Sequence, residues 1–143
     1  AECRIPVITA AQAIRLALKS LGCHSIALVS PYPADLAEAG YRYWEQASLR
    51  VVARLRVDPA LTDTHRIYEL TSDDALGALR NIDRSGADCL LASGTGMPTL
   101  RALRILGTEL KLPVLSSNLC LAWALTQAAA PELAPETPGG LLG

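Results

Sequence analysis

The sequence predicts an α/β fold in which a parallel sheet is flanked by helices on both faces. Short apolar runs typical of buried strands alternate with segments in which apolar residues recur at helical spacing. The connections between these segments are short, and strands that alternate with helices form parallel sheets. The chain has 143 residues, of which 50% are hydrophobic and 19% charged. It is therefore long enough for one domain with its own core.

The first segments alternate between strand and helix. Pro6–Ile8 is a short β-type run, and Thr9 with Gln12 three residues later matches a capping box, which predicts a helix start. Apolar residues then recur at helical spacing up to Gly22, a natural helix stop. Ser25–Val29 is apolar enough for a buried strand. We therefore expect a strand, a helix and a second strand in this part of the chain.

After the turn Ser30-Pro31-Tyr32-Pro33, the sequence predicts a helix and then an edge strand. Leu49–Val57 alternates apolar residues with arginines, which is typical of a strand near a sheet edge with one solvent-exposed face. Residues 58–70 are less regular, with a possible helical turn around Arg66–Tyr68. The apolar face predicted for the helix comprises Leu36, Gly40, Tyr43, Trp44 and Ala47.

A further helix, a strand, a tight loop and another helix follow. The helix is predicted to begin at Ser72 and to end at Gly86, and Cys89–Ala92 is typical of a buried strand. Ser93-Gly94-Thr95-Gly96 breaks that strand with two glycines and two hydroxyls, and Thr99 is predicted to cap the next helix. Such a loop aims backbone N–H groups and a helix N-terminus at one point, which suits a carboxylate or a phosphate. The alternative is an ordinary turn in which glycines only allow the bend.

The last strand and helix resemble the first pair. Leu112–Leu115 predicts a strand that ends in Ser116-Ser117-Asn118, and Asn118 is expected to cap a helix from Leu119 to about Ala129. This helix is apolar almost all round, so we expect it to be buried or covered by a partner. Pro131–Gly143 shows no periodicity and is expected to be a flexible tail.

A short internal repeat indicates an ancestral duplication. Pro6-Val7-Ile8-Thr9 and Pro113-Val114-Leu115-Ser116 have the same pattern at a numbering offset of 107, and each precedes a helix. The counterpart of the glycine loop would then precede Pro6. We therefore expect residues 1–22 to be the last strand and helix of an otherwise absent first lobe, with residues 23–130 forming one α/β lobe and residues 131–143 the tail.

Composition argues against several functional classes. The net charge is −1 with no long run of either sign, so neither nucleic acid nor a membrane surface is an expected partner. No apolar run approaches the roughly 20 residues of a membrane span, and no signal-peptide pattern is present, so a cytoplasmic location is expected. The cysteines lack metal-ligand or redox spacing, and we expect buried thiols and no metal site. These cysteines are Cys3, Cys23, Cys89 and Cys120.

Three motifs follow one another in this order: Ile26–Tyr32, Ser93–Leu100 and Pro113–Asn118. Together they resemble the Asp/Glu racemase superfamily, and most closely its maleate cis-trans isomerase and arylmalonate decarboxylase branch. The similarity runs from about Pro6 to Ala128. The resemblance implies flavodoxin-like α/β lobes related by a pseudo-twofold, with the site in the cleft between them. It also implies cofactor-independent chemistry on a small mono- or dicarboxylate through an enediolate-like intermediate, that is, a decarboxylase, isomerase or racemase.

The resemblance also implies roles for individual residues. The superfamily's catalytic cysteine in this lobe falls at Gly94, so the catalytic residue of this chain is unknown, and glycine would leave room for a larger substituent. The expected donors to substrate are the Tyr32 hydroxyl, the Ser93 and Thr95 hydroxyls, and the Thr95 and Gly96 amides. Asn118 is a further candidate, with a helix cap as its alternative role; for Tyr32 the alternative is a packed loop residue.

Two functional hypotheses remain open at this point. The first is an enzyme, either as this chain alone, as a homo-oligomer, or with a first lobe that completes the cleft. The alternative is a non-catalytic small-molecule-binding lobe of the periplasmic-binding type, which also uses loops at strand ends. Cys120 lies in the first turn of an apolar helix, and we expect it to be a core residue. His24 and His65 have no metal or triad partner at recognisable spacing.

Overall fold

The computed structural model describes residues 7–143, which form a four-stranded parallel sheet with the strand order β2-β1-β3-β4. This confirms the predicted α/β class. The strands are β1 (Ser25–Ser30), β2 (Arg50–Arg56), β3 (Cys89–Ala92) and β4 (Val114–Ser116). The α-helices are α1 (Ala10–Ser20), α2 (Ala34–Gln46), α3 (Ser72–Asn81), α4 (Leu100–Glu109) and α5 (Ser117–Ala129). Three 3₁₀ helices cover Thr64–Glu69, Pro131–Leu133 and Pro138–Leu142.

The centre of the sheet is the centre of the core. Every residue of β1 and β3 is buried, as expected for parallel strands covered on both faces. β2 lies at the edge and stays partly exposed, which agrees with its alternation of apolar residues and arginines. Helices α1 to α4 each bury one apolar stripe in the core, so the hydrophobic effect fixes their orientation.

The connections reverse direction between β1 and β3. The chain leaves β1 for β2 on one side and then crosses back past β1 to β3. Parallel crossovers are right-handed, so α2 covers one face while α3 and α4 pack together on the other. α1 shares the face of α2, because both helices line one cavity with Leu28 of β1. The carboxyl ends of β1 and β3 therefore flank a topological switch point, where open α/β sheets bind ligands.

The helices α1 and α5 begin with the same kind of N-cap. Thr9 Oγ1 accepts from Gln12 N at 3.2 Å, and Ser116 Oγ accepts from Leu119 N at 3.2 Å. The two caps are 107 residues apart, the offset of the sequence repeat, and the two helices pack against each other. The strand predicted at 6–8 does not follow this pattern: Val7 and Ile8 are outside any strand, and Pro6 lies outside the described residues.

Two local details differ from the predictions. The buried face of α2 is formed by Ala37, Tyr41 and Trp44, whereas the predicted Leu36 and Tyr43 are 43% and 41% exposed. The stripe is set by the spacing of these three residues, and Tyr41 also receives Arg54 over its ring. Thr99 occupies the N-cap position of α4, but its backbone is helical and its side chain makes no capping hydrogen bond.

The segment after α5 is folded back onto that helix. The indole nitrogen of Trp123 donates to the Pro135 carbonyl at 2.9 Å, and the Gln127 amide donates to the same oxygen at 3.0 Å. Pro138 is buried. Part of the apolar surface of α5 is thus covered by α1, by β4 and by this segment, whereas Leu125 stays 49% exposed. The flexibility expected for residues 131–143 stays a prediction, but the segment has specific contacts. No helix between residues 7 and 143 is both long and apolar enough to cross a bilayer.

One carboxylate ties the amino ends of the two central strands together. Asp88 Oδ2 accepts hydrogen bonds from the His24 amide at 2.9 Å and from the Ser25 amide at 2.8 Å. These bonds favour the charged form, and the one from His24 is the largest cause of the lowered pKa of Asp88. The Ser25 hydroxyl also donates to the Gly86 carbonyl at 2.9 Å. Together they fix the start of β1 beside the start of β3.

We expect Asp88→Asn to lower the free energy of unfolding at pH 7, because the amide accepts hydrogen bonds without a charge. The folded-state pKa of Asp88 lies below the unfolded value of about 3.9. Its stabilisation is therefore present above that value and is lost as the pH falls through the folded-state pKa. Urea unfolding of the native protein and the Asp88→Asn variant at pH 7, 5 and 3 should give curves that converge at low pH. An equal gap at all three pH values would contradict this role.

Candidate functional site

Two loops meet at the carboxyl ends of β1 and β3. Val29 pairs with Ala92 in the ladder, and the Ser93 amide donates to the Val29 carbonyl at 2.9 Å. The loops therefore leave the sheet side by side. A Cβ atom placed on Gly94 would lie 3.5 Å from the Tyr32 hydroxyl oxygen. The sheet thus brings the predicted tyrosine and the predicted glycine loop together at the switch point.

Gly94 occupies a position that only glycine fits well. Its φ is +93°, in the region that side chains rarely adopt. A Cβ there would also lie 2.5 Å from Pro31 Cγ and 3.1 Å from Pro31 Cδ. The room expected for a larger substituent beside Gly94 is therefore filled by the Pro31 ring. A cysteine at this position would need Pro31 to move.

The Tyr32 side chain is half-buried between the two loops. Its amide donates to Ser30 Oγ at 3.3 Å, which holds the turn that follows β1. Burial is the main cause of the raised pKa of Tyr32, and the nearby Tyr68 adds to it. The phenol consequently stays protonated at neutral pH and can act as a neutral hydrogen-bond donor beside Gly94.

Asn118 fixes the glycine loop and does not cap a helix. Its Nδ2 donates to the Thr95 carbonyl at 3.1 Å, whereas the cap of α5 is Ser116. The predicted capping role of Asn118 is therefore wrong, because the helix begins two residues earlier than expected. Within residues 7–143 no hydrogen bond uses the Thr95 or Gly96 amide as donor. Both N–H groups thus belong to a loop that Asn118 holds, and they have no hydrogen-bond acceptor among the described residues.

The remaining predicted residue, Ser93, faces inward. It is 9% exposed, and its hydroxyl donates to the Val29 carbonyl at 3.3 Å. The Ser93 hydroxyl is thus used in a hydrogen bond to β1. Ser93 lines a cavity of about 230 Å³ beneath the loops, together with Ser30 and Ser117. The sequence did not single out Ser30 or Ser117 as site residues. The two serines end β1 and begin α5, and their position at strand ends was the only signal for them.

A short 3₁₀ helix forms a wall of the site. A Cβ on Gly96 would lie 3.2 Å from both Ile67 Cγ2 and Tyr68 Cε1, so the wall packs directly on the glycine loop. Ile67 is 5% exposed and anchors the wall, whereas Tyr68 is 79% exposed. The cavity between wall and loop measures about 260 Å³ and is lined by Tyr32, Thr64, His65, Ile67, Tyr68, Thr95 and Gly96.

Neither a metal cluster nor an activated thiol lies at this edge in the part of the chain described. No three His, Cys, Asp or Glu side chains between residues 7 and 143 are grouped as metal ligands. Burial raises the pKa of Cys120 to about 12, so this thiol is not a nucleophile at neutral pH. A hydrogen bond with Cys89 lowers the pKa of Cys23, but Cys23 lies at the opposite end of β1. Cys3 lies outside the described residues.

A larger groove of about 660 Å³ runs beside α1 and the amino ends of β1 and β2. It is mainly apolar and is bordered by the exposed side chains of Val7 and Leu16. It lacks the convergent loop donors that characterise the carboxyl edge. The cavity of about 260 Å³ between the glycine loop and the Thr64–Glu69 helix is therefore the better candidate for a binding site.

Comparison with known proteins identifies the family. A family model described as arylmalonate decarboxylase matches residues 1–142. The chain belongs to the arylmalonate decarboxylase family. This agrees with the resemblance carried by the three motifs, and nothing in the comparisons favours a periplasmic-type binding lobe.

The chain is also similar to maleate isomerases. The maleate isomerase of Geobacillus stearothermophilus is 28% identical over 113 residues, which cover 78% of this chain and 44% of that protein. That of Alcaligenes faecalis is 24% identical and covers 86% of this chain and 47% of that protein. The chain spans about half the length of the curated relatives it matches.

Solved structures have the same fold. A Nocardia farcinica maleate cis-trans isomerase C194S mutant with a covalently bound succinylcysteine intermediate matches with a TM-score of 0.76 at 25% identity, over 83% of this chain and 48% of that one. A crystal structure of arylmalonate decarboxylase matches with a TM-score of 0.66 at 24% identity, over 86% and 52% of the two chains. The four-stranded sheet described above is thus a fold shared with both enzymes.

We expect Gly94→Ala to destabilise the protein by about 2 kcal/mol or more, from backbone strain and the contact with Pro31. Gly77→Ala is the matched control, because a Cβ there meets nothing within 4 Å and alanine favours the helix. In a Pro31→Ala background the loss should be smaller, since only the backbone strain remains. Thermal unfolding of the four variants measures these differences. Equal effects of the two glycine substitutions would show that the loop is not constrained as described.

Proposed function

We propose that this chain forms one half of a cofactor-independent isomerase or lyase that acts on a small mono- or dicarboxylate. The observation that carries the proposal is the convergence of the Tyr32 hydroxyl with the glycine loop that presents the Thr95 and Gly96 amides. They meet at the switch point between β1 and β3, where the fold favours ligand binding. The relatives' names support isomerase or lyase chemistry for the whole protein.

The three donors suit the anion that such chemistry creates. Loss of CO₂, or of a proton next to a carboxylate, leaves an enediolate-like intermediate with negative charge on its oxygens. Fixed donors stabilise that charge without reorganising, and one such donor typically contributes about 3 kcal/mol to the barrier. Asn118 holds the carbonyl of Thr95, which keeps the loop amides oriented. The neutral phenol of Tyr32 donates to the same oxygens.

The proton-transfer step needs a group beyond these donors. Gly94 has no side chain that could act as acid or base, and Cys120 and Cys89 are buried with raised pKa values. Proton transfer is therefore left to another group, either His65, which lines the cavity beside Tyr32, or a residue of a second element that closes the cleft. Under this proposal, the described residues supply carboxylate binding and charge stabilisation.

The activity test uses the whole protein without added metal or coenzyme. Phenylmalonate, maleate and aspartate are incubated separately in D₂O, and proton NMR follows decarboxylation, double-bond isomerisation and α-proton exchange. We expect turnover of at least one of the three. No reaction with any of them, combined with tight binding of a sugar or another non-acid metabolite, would rule out the enzyme proposal.

Removal of the Tyr32 hydroxyl, or of the Thr95 hydroxyl on the same loop as the two amides, should weaken carboxylate binding. We expect Tyr32→Phe and Thr95→Val each to raise the Kd for the best-bound acid about tenfold, because hydrogen bonds to charged groups contribute about 1.5–3 kcal/mol. Thr108→Val is the control, since the Thr108 hydroxyl donates to the Ile105 carbonyl within α4. Isothermal titration calorimetry measures the affinities. If both site variants bind as tightly as the control, these side chains are not substrate donors.

A further inference from the structure

Arg56 lies where the edge strand joins the site. It is the last residue of β2 and pairs in the ladder with Ser30, the last residue of β1. The following amide, that of Val57, donates to the Ser30 carbonyl at 2.9 Å. The start of the Tyr32 turn is thus fixed to the end of β2, and the Arg56 side chain extends from the point where both strands stop.

The Arg56 guanidinium connects two loops through their backbone oxygens. Its Nε donates to the Tyr32 carbonyl at 3.1 Å, and its Nη2 donates to the Leu61 carbonyl at 2.8 Å and the Asp58 carbonyl at 3.4 Å. The planar fork of arginine suits such divided donation, which the compact ammonium of lysine cannot reproduce. One side chain therefore holds the tyrosine turn and the loop after β2 in a fixed relation.

The bridged loop leads directly into the wall of the site. Leu61 is 1% exposed, so the point held by Arg56 is buried in the core. Two residues later Asp63 caps the 3₁₀ helix Thr64–Glu69, with its Oδ1 accepting from the His65 amide at 2.9 Å. Arg56 thus links the backbone of Tyr32 to the segment that carries Ile67 and Tyr68, which form the opposite side of the cavity.

Among residues 7–143, the Arg56 guanidinium donates to backbone carbonyls and forms no ion pair. None of the salt bridges found between residues 7 and 143 includes it, and the nearby Asp58 carboxylate accepts from the Ala60 amide instead. The connection of Arg56 to Tyr32 is through the backbone carbonyl, which accepts from Arg56 Nε.

From this geometry we infer that Arg56 is a positioning residue, which sets the width of the carboxylate site by holding the Tyr32 turn at a fixed distance from the Thr64–Glu69 wall. The inference rests on the proposed function of that site. It assigns Arg56 no contact with substrate. Loss of the bridge should let the turn and the wall separate, which exposes the Tyr32 phenol and misplaces its hydroxyl relative to the Thr95 and Gly96 amides.

The test compares Arg56→Met with Arg54→Met in the whole protein. Arg54 lies two residues earlier on β2, pairs with Glu38 and Glu45 and covers the Tyr41 ring. The first readout is Tyr32 ionisation, followed by NMR of ¹³C-labelled tyrosine and assigned with Tyr32→Phe. In Arg56→Met the pKa of Tyr32 should fall towards its ordinary value, because the phenol is less buried. In Arg54→Met it should not move.

The second readout is phenylmalonate affinity. Arg56→Met should raise the Kd roughly tenfold, as expected when a donor is misplaced by a remote change, while Arg54→Met leaves it unchanged. In a Tyr32→Phe background the Arg56→Met effect should shrink, because both changes act through one hydroxyl. Arg56→Lys keeps the positive charge but lacks the planar guanidinium, so it should shift the Tyr32 pKa and the Kd in the same directions as Arg56→Met does. It replaces Arg56→Met if that variant does not fold.

The outcomes separate this inference from the function it rests on. If Tyr32→Phe weakens binding but the Arg56 variants match the native protein in both readouts, the positioning role is overturned and the proposed function stands. If no carboxylate binds the native protein, the proposed function fails, and an unshifted Tyr32 pKa in the Arg56 variants would then overturn the bridge as well.

Discussion

The pairing between β1 and β3 is the constraint on which the rest of the site depends. Because Val29 lies opposite Ala92, the next residues of both strands leave the sheet together, and Tyr32 reaches Gly94. A shift of one residue in this register would turn Tyr32 and the glycine loop to opposite faces. Asp88 secures the same pair of strands at their amino ends. The geometry of the carboxyl edge therefore follows from a ladder that is fixed at both ends.

The sequence predicted the features that depend on local patterns. The strand, the glycine loop and the helix that follow Asp88 were placed correctly, as were the Thr9 capping box and the arginine-rich edge strand, because each has a short-range signature. The buried face of α2 and the hydrogen bond of Asn118 were predicted wrongly, because both depend on which groups the fold places opposite them. The Arg56 bridge was also missed: its three acceptors are backbone carbonyls, which leave no trace in the residue pattern.

The described residues place hydrogen-bond donors and thiols in different parts of the fold. The edge of the sheet presents amides and a neutral phenol, and the thiols described lie in the core or at the far end of β1. Gly94, backed by Pro31, closes the position at which the resemblance would place a cysteine. The chain also covers about half of its relatives, and α1 and α5 repeat one cap and pack on each other. These features are consistent with a site that a second lobe completes.

We propose that the glycine loop binds carboxylate oxygens through its amides. The most direct measurement is a phenylmalonate titration of the whole protein, labelled with ¹⁵N at threonine and glycine and followed by amide NMR. The account predicts saturable downfield shifts of the Thr95 and Gly96 amides with a common Kd, while Gly77 and Thr126, which lie on helices away from the loop, stay unmoved. Saturable binding that leaves both loop amides unchanged would contradict it.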